Sequence, residues 1–136
     1  MPDLVGKAAI VTGCASGIGA AAVRRLVADG AQVLGTDIDT AGGQALCDAV
    51  GARFMVQDVA DEARWEAVVA AAVEAFGRLD ILVNNAGTVS SRSIGEVDMA
   101  AWSRVIGINL TGTMLGCRAA IAAMQGNPGG AKGSIV

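Results

Sequence analysis

The segment Thr12-Gly13-Cys14-Ala15-Ser16-Gly17-Ile18-Gly19 follows an apolar run at residues 8–11 and precedes a helix-like run at residues 20–28. Its glycines therefore fall on a predicted turn that leads from a strand into a helix. Dinucleotide-binding folds contact the phosphates of their ligand at such a turn. The free amide groups and the positive end of the helix that begins here would face those phosphates.

Three glycines of this segment have separate physical roles in that interpretation. Gly13 can adopt a positive φ at little steric cost, which a sharp turn requires. Gly17 has no side chain, so a pyrophosphate could approach the backbone closely, and Gly19 would let the helix pack tightly on the strand. The alternative is a tight turn that binds nothing, because glycine spacing alone is a weak signal.

The composition indicates one domain with one hydrophobic core. The chain has 136 residues, of which 53% are apolar. The longest uncharged apolar runs are too short to span a bilayer. Residues 1–7 lack the basic and then apolar pattern of a signal peptide. We therefore expect a single domain over residues 1–136 that is cytoplasmic and has no membrane partner.

The absence of a basic cluster, of histidine and of paired cysteines excludes several functions. The net charge is −3 and no basic cluster is present, so we expect no nucleic-acid partner. The absence of histidine excludes imidazole acid–base chemistry, and we expect no metal. Cys14, Cys47 and Cys117 contain no CxxC pair, which indicates reduced thiols. We expect all three to be small buried hydrophobic residues, with Cys14 as the exception to consider because it lies in the glycine segment.

Strand-like and helix-like segments alternate along the chain, which predicts a parallel sheet covered by helices. The predicted strands are residues 7–11, 32–36, 53–57 and 79–83, with the first residues of a fifth at 134–136. The predicted helices are residues 18–29, 41–50, 62–76 and about 99–124. A polar loop at residues 88–97 precedes the last of these helices.

The ends of the helices carry their own signals. We predict that Thr40, Asp61 and Asp98 cap the helices that follow them. Glycines end three of the helices, at positions 30, 51 and 77. Apolar residues at helical spacing predict the face of the third helix that meets the sheet, namely Trp65, Val68, Val69, Ala72, Val73 and Phe76.

Asn109 is an unusual residue for the interior of the long helix. Gly107 and Gly112 lie close to it and also weaken the helix. We therefore expect a local distortion here, and such strain often marks a functional position.

Four motifs now follow one another in a recognisable order. The glycine segment fits the pattern TGxxxGxG, and residues 84–87 read Asn-Asn-Ala-Gly at the end of the fourth strand. Asp58-Val59 follows the third strand, and Asn109 lies in the long fourth helix. With these motifs the chain resembles the N-terminal half of the short-chain dehydrogenase/reductase family, over essentially all 136 residues. The resemblance implies a Rossmann-type, doubly wound α/β fold with strand order 3-2-1-4-5.

The resemblance also implies a nicotinamide dinucleotide cofactor and assigns its contacts. The glycine segment would hold the pyrophosphate and the adjoining ribose, Asp58 would accept the adenine amino group, and Val59 would donate a backbone N–H. Residues 85–87 would border the nicotinamide-side ribose, whereas Asn84 would brace neighbouring strands. The implied cofactor-binding residues are Gly13, Ser16, Gly17, Ile18, Gly19, Asp37, Ile38, Asp58, Val59, Asn85, Ala86 and Gly87.

Asp37 favours NAD over NADP in this interpretation. Its carboxylate would accept hydrogen bonds from the adenosine ribose hydroxyls and would repel a 2′-phosphate. Neither residues 14–16 nor residues 38–39 supply an arginine or lysine to neutralise such a phosphate. The structural alternative is that Asp37 and Asp39 are turn residues at the end of a strand. Asp58 has the same alternative, as a cap or loop residue.

The catalytic positions of the family are mostly absent from the printed residues. Asn109 matches one of them, but the sequence contains no tyrosine, and the family's Ser and YxxxK would follow the fifth strand. We therefore expect the proton-transfer residues to come from polypeptide beyond residue 136, so that this chain is a truncated form of the family fold. The open strand edge and the uncovered apolar face of the long helix predict a homo-oligomer. This face includes Trp102, Val105, Ile106, Leu110 and Met114.

Three functions remain as alternatives. The first is an NAD-dependent oxidoreductase that moves hydride between nicotinamide and a small alcohol or ketone, with this chain as its cofactor-binding half. The second is a dinucleotide-binding module or partner subunit without catalysis, which the missing tyrosine favours. The third is a transferase that uses S-adenosylmethionine, against which the Asn-Asn-Ala-Gly motif argues. The loop at residues 88–93 does not identify a substrate.

Overall fold

The computed structural model describes residues 3–130 and 132–136. Five parallel strands form one sheet in the order β3-β2-β1-β4-β5. The strands are β1 (Ala8–Thr12), β2 (Gln32–Asp37), β3 (Arg53–Val56), β4 (Ile81–Val83) and β5 (Ser134–Ile135). The helices are α1 (Gly17–Ala28), α2 (Thr40–Val50), α3 (Glu62–Phe76), α4 (Met99–Ile106) and α5 (Gly112–Gln125). This arrangement confirms the predicted α/β fold and its strand order.

Helices cover both faces of the sheet because successive residues of a strand point to opposite sides. Ile10 of β1 packs in one hydrophobic cluster with Trp65 of α3. Its neighbour Ala9 packs in a second cluster with Val23 of α1 and Leu46 of α2. The apolar run at residues 8–11 is therefore buried on both faces, as expected for a central strand of a parallel sheet.

The structure corrects one predicted helix cap and confirms two. Asp39, not Thr40, caps α2, because its carboxylate accepts a hydrogen bond of 3.0 Å from the Gly42 amide. Thr40 is the first residue of the helix, so its side chain lies one position too late to serve as the cap. Asp61 and Asp98 cap α3 and α4 through their carboxylates, as predicted.

The predicted fourth strand is too long at its start. Strand β4 spans Ile81–Val83, whereas the sequence pattern predicts residues 79–83. Leu79 is outside the strand because both of its backbone groups bond to one side chain, that of Asn127. The Leu79 amide donates to Asn127 Oδ1 at 3.0 Å, and Asn127 Nδ2 donates to the Leu79 carbonyl at 2.7 Å.

The prediction that the apolar stripe of α3 faces the sheet is wrong for one of its residues, Val73. Trp65, Val68, Val69 and Ala72 are buried in the core, and Phe76 packs against it, but Val73 is 38% exposed. The buried residues follow spacings of three and four, and Val73 lies on the flank of that stripe. Apolar character alone does not separate the flank of a helix from its buried centre.

The long helix has the predicted distortion at Asn109. Between α4 and α5 the backbone forms a π-helical turn at Gly107–Thr111. Such turns are rare and often occur at functional sites. The Thr113 hydroxyl donates to the Asn109 carbonyl at 2.9 Å.

By length and composition the helix formed by α4, the π-helical turn and α5 could cross a membrane, although Arg104 and Arg118 keep its uncharged runs short, as the sequence indicates. The continuous helix Met99–Gln125 has 27 residues, and an 18-residue window within it has a mean hydropathy of 1.4. One flank of it, with Leu115, Ala120 and Met124, packs into the core beside the sheet. The opposite flank exposes the large side chains of Trp102, Leu110 and Met114, whereas Val105 and Ile106 are half-buried. The homo-oligomer expected from this face stays a prediction.

A buried carboxylate joins β1 to the start of β4. Asp80 is 4% exposed and accepts hydrogen bonds from the Ala8 amide at 2.9 Å and from the Arg78 guanidinium at 2.6 and 2.7 Å. Lys7 lies 3.7 Å from the same carboxylate. Burial acts to raise the pKa of Asp80, but the bonds from Arg78 and Ala8 and the two positive charges outweigh it. The pKa of Asp80 is therefore lowered below its ordinary value.

We predict that Asp80→Asn lowers the free energy of unfolding by about 2 kcal/mol at pH 7, because the hydrogen bonds that Arg78 and the Ala8 amide donate lose their charged acceptor. A carboxyl group whose pKa is lowered by folding stabilises the protein above its unfolded pKa. That stabilisation is lost as the pH falls through the folded pKa. Urea unfolding at pH 7 and at pH 3 should therefore show a smaller difference between the two proteins in acid. The exposed Asp48→Asn is the control, and a difference that stays constant with pH would contradict the assignment.

Candidate functional site

A cavity of about 530 Å³ lies where the strands end at their carboxyl side. Ligands of open parallel sheets bind in this crevice. The cavity is lined by Gly13, Ser16, Gly17, Ile18, Asp37, Ile38, Gln57, Asp58, Val59, Asn85, Ala86, Gly87, Thr88, Arg104 and Ile108. All the cofactor-binding residues expected from the sequence are in this set except Gly19.

The glycine segment presents open backbone to this cavity at the start of α1. Gly13 and Gly17 have positive φ values of 68° and 54°, and a Cβ atom at Gly17 would meet no atom within 4 Å. Ser16 precedes the helix, and its side chain makes no capping hydrogen bond. The first turn of α1 contains no acidic residue. The first amide groups of a helix have no partner within it, so an anion could bind here.

Gly19 is buried behind the cavity wall, where it holds the turn closed. A Cβ atom at this position would collide with the carbonyl oxygen of Gly13 and would lie 2.5 Å from Asn85 Nδ2. No side chain larger than hydrogen fits there without movement of the backbone. The role of Gly19 is therefore close packing of the helix on the glycine turn.

Asp37 connects the end of β2 to the glycine segment. One carboxylate oxygen accepts a hydrogen bond of 2.9 Å from the Ala15 amide, and the other accepts one of 2.9 Å from the Asp39 amide. The carboxylate thus has a structural role in the turn as well as a position in the cavity wall. Ile38, the next residue, is 68% exposed at the rim.

The residues after β3 form a second part of the wall. The Asp58 carboxylate is exposed and accepts a hydrogen bond of 2.9 Å from the Ala60 amide, which stabilises the loop. Val59 is 7% exposed, and its carbonyl accepts a hydrogen bond of 2.8 Å from the Trp65 indole. The core helix α3 therefore helps to hold this loop in position.

Thr12 joins the glycine turn to the loop after β4, and the sequence analysis gave it no such role. Its hydroxyl oxygen, which is buried, accepts hydrogen bonds from the amides of Asn85 at 3.1 Å and Ala86 at 3.0 Å. The Asn85 side chain in turn donates to the Thr12 carbonyl at 3.0 Å and to the Gly13 carbonyl at 3.2 Å. These bonds fix two walls of the cavity relative to each other.

Thr12→Val should lower the free energy of unfolding by about 2 kcal/mol, because the two amides lose their acceptor while the side-chain shape stays nearly the same. Thr12→Ser retains the hydroxyl and should lose less than half of that amount. Thermal unfolding of the three proteins makes the comparison. If the valine and serine variants are equally stable, the hydroxyl has no part in holding the two walls together.

Asn84 and Asn109 lie beside the cavity rather than in its wall. The backbone N–H of Asn84 donates to the Val136 carbonyl at 2.8 Å, and the Asn84 side chain contacts Cys117 of α5. Asn84 thus joins β4 to the end of β5 through its backbone, whereas its side chain lies against α5. Asn109 holds Thr88 from both sides, because its Oδ1 accepts from the Thr88 amide and its Nδ2 donates to the Thr88 carbonyl, each at 2.8 Å.

Cys14 does not face the cavity. It is fully buried, and its sulfur and that of Cys47 both lie within 3 Å of the position that a Cβ atom of Gly35 would occupy. A hydrogen bond to Cys47 and burial both raise the pKa of the Cys14 thiol. Cys14 therefore stays protonated and acts as a small buried residue. All three cysteines are free, and the described residues contain no cluster suited to a metal ion.

Four residues of the cavity wall were not predicted from the sequence. Gln57 directly precedes Asp58 in the chain, and Thr88 directly follows the Asn-Asn-Ala-Gly motif. Arg104 and Ile108 are four residues apart, so they share one side of the long helix beside Asn109. The spacing to Asn109 was a signal that could have identified the last two.

Comparison with known proteins gives a consistent result. The short chain dehydrogenase family model matches residues 7–136. A 3-alpha-(or 20-beta)-hydroxysteroid dehydrogenase of Mycobacterium tuberculosis is 44% identical over 124 residues, which are 90% of this chain and 48% of the relative. The trans-4-hydroxycyclohexanecarboxylate dehydrogenase of Sinomonas cyclohexanicum is 40% identical over 96% of this chain and 53% of its own length.

A 3-beta-hydroxysteroid dehydrogenase of Comamonas testosteroni is 41% identical over 90% of this chain and 49% of its own length. The chain thus spans about half the length of the curated relatives that it matches. The family match, by contrast, extends from the first strand to the last described residue. With the strand order and the glycine turn described above, this match shows that the chain belongs to the short-chain dehydrogenase/reductase family.

Proposed function

We propose that this chain is the NAD-binding half of an oxidoreductase that transfers hydride between a nicotinamide and a small alcohol or ketone. The observation that carries the proposal is the one cavity that brings together the glycine turn, the Asp37 carboxylate and residues 85–87. These groups come from the ends of β1, β2 and β4. An elongated ligand with a central anion and two ribosyl ends would find a complementary group at each point.

The residues present fit such a cofactor. The open space at Gly17 leaves the helix terminus accessible, and no capping side chain or acidic residue in the first turn competes with a pyrophosphate there. Gly13, Ser16 and Ile18 would border the same group. When bound, the nicotinamide would supply the hydride acceptor or donor.

The charges of the wall support NAD rather than NADP. Asp37 would accept hydrogen bonds from the adenosine ribose hydroxyls, and a 2′-phosphate beside it would be repelled. The basic residue of the wall, Arg104, comes from α4 rather than from the glycine segment or the end of β2. It therefore belongs to a different wall from the carboxylate that would meet the ribose.

On this proposal Asn109 acts through the backbone that it holds. Its two hydrogen bonds to Thr88 orient a residue of the cavity wall next to Gly87. The sequence contains no tyrosine, so the proton that accompanies hydride transfer would be moved by residues outside these 136. The same absence favours the second candidate, a dinucleotide-binding module without catalysis. Methyl transfer from S-adenosylmethionine receives no support from the dehydrogenase relatives.

Calorimetric titration with NADH, combined with a hydride-transfer assay, tests the proposal. The relatives are named for cyclic hydroxysteroid and hydroxycyclohexanecarboxylate substrates, so the assay should offer secondary alcohols on saturated rings. Binding with turnover would support the oxidoreductase. Binding without turnover by these 136 residues alone is expected of both candidates, so turnover by the protein that carries them decides between the two. An absence of NADH binding would contradict both. Chromatography with light scattering would test the proposed homo-oligomer, and cell fractionation would test the proposed cytoplasmic location.

A further inference from the structure

Gln57 is a buried amide without a hydrogen-bond partner at either end of its side chain. The residue is 2% exposed, and neither its Oε1 nor its Nε2 bonds to any atom of the described residues. The Thr36 hydroxyl is the third buried side-chain atom in this state within residues 3–130 and 132–136. Most buried polar groups in proteins are paired, so each such exception needs a physical reason.

The unpaired groups of Thr36 and Gln57 lie on the same face of the sheet, and Gln57 reaches the cavity. Thr36 of β2 is opposite Met55 of β3, and Gln57 is two residues beyond Met55, so Thr36 and Gln57 point to the same face of the sheet. The backbone N–H of Gln57 donates to the backbone carbonyl of Asp37 at 2.9 Å, which holds Gln57 beside the Asp37 carboxylate. Gln57 is itself part of the cavity wall, between Asp37 and Asp58.

Folding alone does not explain a glutamine at this position. A leucine of similar size would fill the same space without leaving a donor and an acceptor unpaired. The glutamine side chain has flexible torsions, so its carboxamide can turn toward the cavity while the backbone stays in place. A group that arrives in the cavity can therefore provide the partners that the folded chain does not.

We propose that Gln57 recognises the base of the bound dinucleotide, an inference that rests on the proposed function. A carboxamide presents a donor and an acceptor side by side. The adenine edge formed by the amino group and ring nitrogen N7 presents the complementary pair, and glutamine is a common partner of that pair. Asp58 and the Val59 N–H would meet the other edge, through the second amino hydrogen and ring nitrogen N1. Asp37 beside Gln57 would hold the attached ribose, so the base would lie over the carboxamide.

The test compares Gln57→Leu with the exposed Gln44→Leu as the matched control. Affinities are measured for ADP-ribose, which carries the base, and for reduced nicotinamide mononucleotide, which does not. For Gln57→Leu we expect an unfolding temperature equal to or higher than that of the unaltered protein, and a dissociation constant for ADP-ribose about tenfold higher. Affinity for the mononucleotide should not change, and Gln44→Leu should change nothing. Gln57→Met, which is unbranched like glutamine, replaces the leucine variant if that variant does not fold.

Other outcomes would overturn the inference. Unchanged ADP-ribose affinity would show that Gln57 does not contact the base. A lower unfolding temperature with equal losses for both ligands would indicate a structural role, for instance through a buried water shared with Thr36. If the unaltered protein binds neither ligand, the proposed function itself fails and this inference fails with it.

Discussion

Gly19→Ala should abolish NADH binding and lower the free energy of unfolding by about 3 kcal/mol. The added methyl group would collide with the Gly13 carbonyl oxygen, which belongs to the backbone and cannot rotate away, and would lie 2.5 Å from Asn85 Nδ2. Relief requires the helix to move off the turn, which costs packing energy across the core. It would also break the bonds from Asn85 to the carbonyls of Thr12 and Gly13.

Substitutions at two other glycines separate the effect of the collision on stability from the effect of a methyl group on NADH binding. Gly95→Ala places a methyl group in open space on a backbone without positive φ, so stability and binding should not change. Gly17→Ala also meets no atom, but its φ of 54° disfavours alanine by about 1–2 kcal/mol. Its methyl group would also occupy the space above the helix terminus, so it should weaken binding while it lowers stability less than Gly19→Ala does. Denaturant unfolding and NADH titration of the three variants give the comparison. Near-normal NADH affinity in Gly19→Ala would contradict the proposed arrangement of the turn.

Asp37→Asn should reverse or remove a preference for NADH over NADPH. The carboxylate would make charge-assisted hydrogen bonds to the ribose hydroxyls, which contribute about 1.5–3 kcal/mol. Its loss should raise the dissociation constant for NADH roughly tenfold, while NADPH binds more tightly because the repulsion of its phosphate is removed. We expect the ratio of the two constants to change by about 100-fold, as measured by titration at fixed salt concentration.

Asp39→Asn is the matched control for this charge. Asp39 is two residues away, carries the same charge and caps α2, but it is not in the cavity wall. Its substitution should reduce stability slightly and leave the ratio unchanged, which separates a local contact from the general field of the protein. Equal changes in both variants would indicate that Asp37 acts only through net charge.

The fold was predictable because its signals are local and redundant. Apolar strands alternate with capped helices, and a right-handed crossover is the usual connection between parallel strands. Asp61, Asp98, Gly51 and Gly77 all bound helices as predicted. The error at the cap of α2 is a local shift of one residue, whereas the error at the start of β4 has a tertiary cause. Leu79 lies outside β4 because its backbone bonds to Asn127, which is 48 residues away in the sequence.

The candidate site was only partly predictable for the same reason. Gly13, Asp37 and residues 85–87 follow recognisable motifs, and the structure brings them to one cavity. Thr12 is the first residue of the glycine segment, but its bonds to Asn85 and Ala86 appear only when β1 and β4 are adjacent. Gln57 likewise gives no signal in the sequence, because an unpaired amide is a property of packing.

A crystal structure of the protein grown with NAD+ tests the central claim most directly. The measurement is the distance from the ribose 2′ and 3′ oxygens to the Asp37 carboxylate, together with the position of the pyrophosphate. We predict ribose hydroxyls within about 3 Å of Asp37 and a pyrophosphate over the open backbone at Gly17. A dinucleotide bound elsewhere, or in this cavity with its ribose turned away from Asp37, would contradict the account.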